Sequence, residues 1–107
     1  MDDGLYVARF RTPLDEAAGV IVISGDAVMG GDSGMYYHGR ISADGDKITV
    51  KMVVHRHNEV ALSVFGDFAF FALTLTGKRR GDAYEFEGRA DAAPVMRFSA
   101  TLTKAQV

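Results

Sequence analysis

Strict two-residue alternation of apolar and polar side chains runs through five separate stretches of this chain, and few folds can absorb it. Tyr6, Ala8 and Phe10 alternate with a face that ends in Arg9 and Arg11, and Met35, Tyr37, Gly39 and Ile41 alternate with Tyr36, His38, Arg40 and Ser42. Ile48, Val50, Met52 and Val54 oppose Lys47, Thr49, Lys51 and His55. Tyr84, Phe86 and Gly88 oppose Glu85, Glu87 and Arg89, while Phe98, Ala100 and Leu102 oppose Arg97, Ser99 and Thr101. A period of two belongs to strands with one face buried and one solvated, the habit of antiparallel sheets.

The breaks between these stretches are turn-forming. Ser24-Gly25-Asp26-Ala27, Ala43-Asp44-Gly45-Asp46 and Lys78-Arg79-Arg80-Gly81-Asp82 predict hairpins, and Gly30-Gly31-Asp32-Ser33-Gly34 predicts a sharp reversal. The spacing yields about eight short strands. Gly39 and Gly88 fall on the aromatic faces, where a missing side chain lets a strand bend sharply. Strands of this kind coil into a closed barrel. The expected fold is therefore all-β: one domain over residues 1–107, a small antiparallel up-and-down barrel, with a short helix or loop near 58–67. Its interior is expected to hold Tyr6, Phe10, Met35, Tyr37, Met52, Phe68, Phe70, Tyr84, Phe86 and Phe98.

One stretch is apolar on both sides. From Phe68 to Leu75, Phe68, Phe70 and Ala72 are expected inside, which leaves Phe71, Leu73 and Leu75 on the outer face. An apolar outer face requires a cover. A homodimer interface through Phe71, Leu73 and Leu75 is expected.

Composition removes several classes of function. A net charge of −2 over 107 residues does not suit a nucleic-acid binder, which must neutralise phosphates. Without cysteine there are no disulfides and no thiolate metal ligands. The chain opens on Met1-Asp2-Asp3-Gly4, acidic where a signal peptide would be basic, and its longest apolar run, Ala17 to Ile23, is far too short to span a bilayer. A cytoplasmic protein with no membrane contact is expected.

Chemistry-bearing patterns are sparse. Gly31-Asp32-Ser33-Gly34 spells the nucleophile loop of trypsin-like proteases, yet every histidine follows that serine, and the chain has about half the length two barrels need. A turn is expected there, and no catalytic residue. His55 and His57, with His38, offer imidazoles for a metal, but the simpler reading is a polar strand end, and no metal or cofactor is expected. The interior aromatics admit another use. A barrel of this size can enclose a small apolar ligand, here between Tyr6, Phe10, Tyr37, Phe70 and Phe98.

Several residue sets, taken in order along the chain, carry a likeness. They are Asp3-Gly4-Leu5-Tyr6 with Phe10, the Gly30-Gly31-Asp32 turn leading to Tyr37 and Gly39, and His57-Asn58 followed by Ser63-Val64-Phe65-Gly66. Together they resemble GrlR-type negative regulators of type III secretion and their short relatives. The resemblance implies a dimerising lipocalin-like barrel that binds a helix-turn-helix activator protein and holds it off DNA. It also implies partner recognition by an acidic hairpin after the tyrosine strand. The matching hairpin here is Ala43-Asp44-Gly45-Asp46, in which Asp44 and Asp46 are the carboxylates left to make the contact.

Overall fold

A computed structural model describes residues 1–107. Eight strands follow one another, each hydrogen-bonded to the next, and β8 returns to pair with β1. They are β1 (Gly4–Arg11), β2 (Glu16–Ser24), β3 (Ala27–Gly31), β4 (Met35–Asp44), β5 (Lys47–Arg56), β6 (Phe70–Arg80), β7 (Ala83–Ala90) and β8 (Ala93–Lys104). All pairings are antiparallel, so the sheet closes into an up-and-down barrel with no edge strand exposed.

The turn residues do what their chemistry dictates. Gly25, Gly45 and Gly81 each take φ near +60° and are each followed by an aspartate with ordinary φ, the pattern of two-residue hairpins with glycine first. The bend expected at the strand glycines is also present. A β-carbon on Gly39 would stand 2.1 Å from the Lys51 carbonyl oxygen, and β7 shifts register between Gly88 and Ala90. Between β5 and β6 the chain forms turns and one isolated bridge, Ser63 to Gly66, and no helix. The segment near 58–67 is a loop.

The alternation places the core. Tyr6, Ala8, Met35, Tyr37, Ile48, Val50, Met52, Val54, Tyr84, Phe86, Phe98, Ala100 and Leu102 are buried, as their period requires, and Phe10 and Phe68 pack against them half-buried.

The doubly apolar strand is the exception. Phe71, Leu73 and Leu75 point into the barrel at 4–6% exposure, while Phe70 is 61% exposed. The reason is pairing. Residues directly opposite in an antiparallel ladder share a face, and Val54, Met52 and Val50, all interior, pair with Phe71, Leu73 and Leu75. A strand apolar on both sides carries no facing information of its own, so the register with β5 decides. Phe71, Leu73 and Leu75 are thus core residues and not a dimer face, and Phe70 cannot line an interior site.

Candidate functional site

One end of the barrel is closed by a hydrogen-bonded cap assembled from distant residues. In the turn after β3, Asp32 Oδ1 accepts the backbone N–H of Gly34 and of Met35, both at 2.9 Å. An aspartate so placed ties the turn to its own side chain. The loop after β5 docks onto this turn. His57 Nε2–H donates to the Asp32 carbonyl at 2.9 Å, and the His57 backbone N–H donates to the Gly34 carbonyl at 3.0 Å. Gly34 is buried beneath Ala61, whose methyl group would stand 2.6 Å from a β-carbon there.

Further along that loop, Ser63 and Gly66 exchange backbone hydrogen bonds at 3.0 Å, and the Ser63 hydroxyl also donates to the Gly66 carbonyl. This tight turn drives Val64 and Phe65 into the barrel mouth, where both are buried. Phe65 stacks on Phe98, with ring centroids 5.4 Å apart, and meets Phe71 edge-on at 5.3 Å. The Thr12 hydroxyl, from the β1–β2 connection, donates to the Val64 carbonyl and ties a third segment into the cap.

Behind the cap lies a cavity of about 350 Å³. Of its 30 lining residues 25 are hydrophobic, among them Phe10, Met52, Phe71, Leu73 and Phe98. Such a size and lining fall in the range of small-molecule sites. The charged lining residues are Asp15 and Asp32, and no lysine, arginine or histidine lines it. Of the residues expected around an interior ligand, Phe10, Tyr37 and Phe98 are present. Phe70 is outside, and Tyr6 packs edge-on against Tyr84 at 6.1 Å, donating its hydroxyl to the Asp2 carbonyl.

Tyr37 is the polar feature of this cavity. Its ring meets Phe10 edge-on and its hydroxyl reaches Gly19 on β2. Tyr37 is 7% exposed, and its hydroxyl is the one buried side-chain polar atom with no hydrogen-bond partner. Leaving such a group unpaired costs about 1–3 kcal/mol. Burial, and after it the negative charge of Asp32, pushes the phenol well above its ordinary pKa. Asp32 raises it both by its charge and as the hydrogen-bond neighbour of the phenol, although the pair stops short of closed hydrogen-bond geometry.

The outer wall carries a second feature. Val20, Gly31, Tyr36, His55 and Phe70 form one cross-strand row over β2 to β6, and Val22, Met29, His38, Val53 and Ala72 form the next. Val20, Val22, Met29, Tyr36 and Phe70 are 43–61% exposed. Tyr36 stacks flat on His55 at 4.6 Å, Phe70 meets His55 edge-on, and the Nε2 atoms of His38 and His55 approach to 3.3 Å. A mostly polar row, Ser24, Ala27, Arg40, Lys51 and Thr74, borders the patch. His38 and His55 thus come together, whereas His57 belongs to the cap.

Asp44 and Asp46 stand exposed at the β4–β5 hairpin, at the opposite end of the barrel from the cap, and neither forms an ion pair. Nothing brings them near the cavity. Sequence reasoning missed the outer patch, although Val20 and Val22 on one face of β2 were a signal once the barrel interior claimed Ile21 and Ile23. It also missed the unpaired state of Tyr37, which depends on what the ring reaches across two strands. No helix is long and apolar enough to cross a membrane. Compared with known proteins, the chain matches no family model and no curated protein.

Proposed function

We propose that this chain is a non-enzymatic, cytoplasmic regulatory module that works by binding and sequestering a protein partner, in the manner of the GrlR-type negative regulators of type III secretion it resembles. The candidate partner is a helix-turn-helix transcriptional activator. The observation that supports this reading is the cap. Residue sets that carry the resemblance lie far apart in the chain, yet Asp32, Tyr37, His57 and the Ser63–Gly66 turn meet in one device at one barrel end. That residues carrying the resemblance in the sequence act together in the fold supports a relationship over a chance spelling of short motifs.

The free carboxylates of Asp44 and Asp46 are the proposed partner contacts, placed where a basic surface can reach them. The proposed dimer surface is the outer patch around Met29, Tyr36 and Phe70, because the doubly apolar strand turns its other face inward. The test is native mass spectrometry of tagged chain recovered gently from its own host. A stoichiometric second protein that is lost in D44K/D46K supports the reading. Recovery with no second protein counts against it.

A second reading, a carrier of a small apolar ligand, is favoured by the cavity itself. A barrel filled by its own side chains would leave no such space. Stoichiometric uptake of a fluorescent apolar probe tests it, and a chain that takes up none is not a carrier.

A further inference from the structure

We propose that His38 and His55 on the outer wall form one half of a zinc site, and that a second copy of the chain supplies the other half with the same two histidines. The part played by the second copy rests on the dimer surface proposed above and names what joins it. Strand register brings the pair together. His55 on β5 lies opposite Tyr36 on β4, and His38 stands two residues further along the same face, so the imidazoles meet on the diagonal. Their Nε2 atoms are 3.3 Å apart and their ring centroids 5.4 Å apart. The rings therefore meet by their nitrogen edges.

The separation fits one ion better than others. Two nitrogens held tetrahedrally at the usual zinc–nitrogen distance of about 2.0–2.1 Å stand about 3.3–3.4 Å from each other. A square-planar ion with bonds of similar length would draw them to about 2.9 Å. A direct hydrogen bond between the rings would also close best at about 2.9–3.0 Å. His55 is held ready, stacked on Tyr36 at 4.6 Å and met edge-on by Phe70 at 4.9 Å. A ring already fixed loses little freedom on binding. His57 takes no part, since its Nε2–H donates to the Asp32 carbonyl in the cap.

The second copy follows from what the pair lacks. No third histidine, aspartate or glutamate of the chain joins it, so two of the four zinc positions face outward. Around them the wall is apolar, with Val22, Met29, Tyr36 and Phe70 all 43–61% exposed. Such a surface calls for a cover. A two-fold axis through the metal makes the patch self-complementary. Each copy then gives two nitrogens to the tetrahedron, and the exposed side chains of one close over those of the other. A convex barrel wall meets its copy over a small area, and the metal–nitrogen bonds add the cohesion that a small contact lacks. Assembly follows the supply of zinc.

The experiment titrates zinc sulfate into the full chain, free of any histidine tag, at neutral pH against a chromophoric chelator. Sedimentation velocity in zinc and in EDTA follows assembly. The expected result is one zinc for two chains, with more dimer in zinc than in EDTA. His38→Ala and His55→Ala, checked for folding by melting curves, should each lose at least about tenfold in zinc affinity and the zinc-dependent dimer with it. In the parent, zinc should move the ring-nitrogen NMR signals of His38 and His55 and leave those of His57 in place, a readout that needs no variant. One zinc per chain with unchanged sedimentation overturns the shared site. Absence of zinc binding, or binding that survives both substitutions, overturns the ligand assignment. A dimer identical in zinc and EDTA, yet broken by Tyr36→Glu with Phe70→Glu, leaves the dimer surface standing and overturns zinc as its joint. A chain monomeric under every condition removes both.

Discussion

The Tyr37 hydroxyl rests on the backbone of Gly19, so close that a β-carbon at position 19 would stand 2.0 Å from its oxygen. Tyr37 lies on β4 and Gly19 on β2, with β3 between them, so the side chain spans two strand spacings along the inner wall. The Gly31 carbonyl oxygen, at 2.8 Å from the same point, blocks escape in another direction. Gly19→Ala should therefore destabilise the barrel by about 1–3 kcal/mol, the usual cost of overpacking. The check is the urea midpoint at constant slope. Part of the cost should vanish when Tyr37 is also shortened to leucine, while the close approach to the Gly31 carbonyl remains.

Stability should fall at alkaline pH in a way traceable to tyrosine. Burial, with lesser contributions from Tyr84 and Asp2, raises the pKa of Tyr6, and burial with Asp32 raises that of Tyr37. Below the ordinary tyrosine value of about 10, folded and unfolded chains hold these protons equally. Above it the unfolded chain releases them first, so the contribution is lost as pH climbs through the folded values. Urea unfolding from pH 8 to beyond pH 10 should show a plateau and then a decline, shallower in Tyr37→Phe. Identical declines in the two proteins would contradict the assignment.

Phe65 is the keystone of the cap, fully inserted and sandwiched by Phe98 and Phe71. Phe65→Ala should cost about 3–5 kcal/mol, as deletion of a buried aromatic does. Because the residue closes the barrel mouth, the variant should also admit apolar dyes faster than the parent. Stopped-flow uptake of such a dye separates the gating effect from the loss of stability.

Neighbouring phenylalanines on β6 should behave in opposite ways. Phe71→Ala removes a core side chain and should lower stability by about 3–5 kcal/mol. Phe70→Glu alters a residue that is 61% exposed and should change stability by only about 0.5 kcal/mol, as surface substitutions do. If the outer patch joins two copies, Phe70→Glu combined with Tyr36→Glu should convert dimer to monomer in sedimentation. A double variant that sediments as the parent does would remove this face from consideration.

Strand number, hairpin positions and most of the core were legible in the chain because each rests on local chemistry. Gly25, Gly45 and Gly81 mark turns through the backbone angles they alone adopt cheaply. Met35, Tyr37, Phe86 and Phe98 mark the interior through a period of two. The residues of the cap were legible as a set, though not as a cap.

What alternation and turn residues determined alone is the eight-stranded antiparallel meander, since both act within a few positions of one another; its closure rests on the pairing of β8 with β1, from opposite ends of the chain. Tertiary structure decided the rest. Which side of β6 faces inward follows from its register with β5, because Phe70 and Phe71 are equally apolar and only the partner strand distinguishes them. Whether the barrel is filled follows from how side chains of eight strands meet across it. The Tyr37 hydroxyl finds its place because Gly19, eighteen positions earlier in the numbering, presents nothing but backbone to the ring. Such relations depend on distances across the barrel, and no neighbourhood of the sequence contains them.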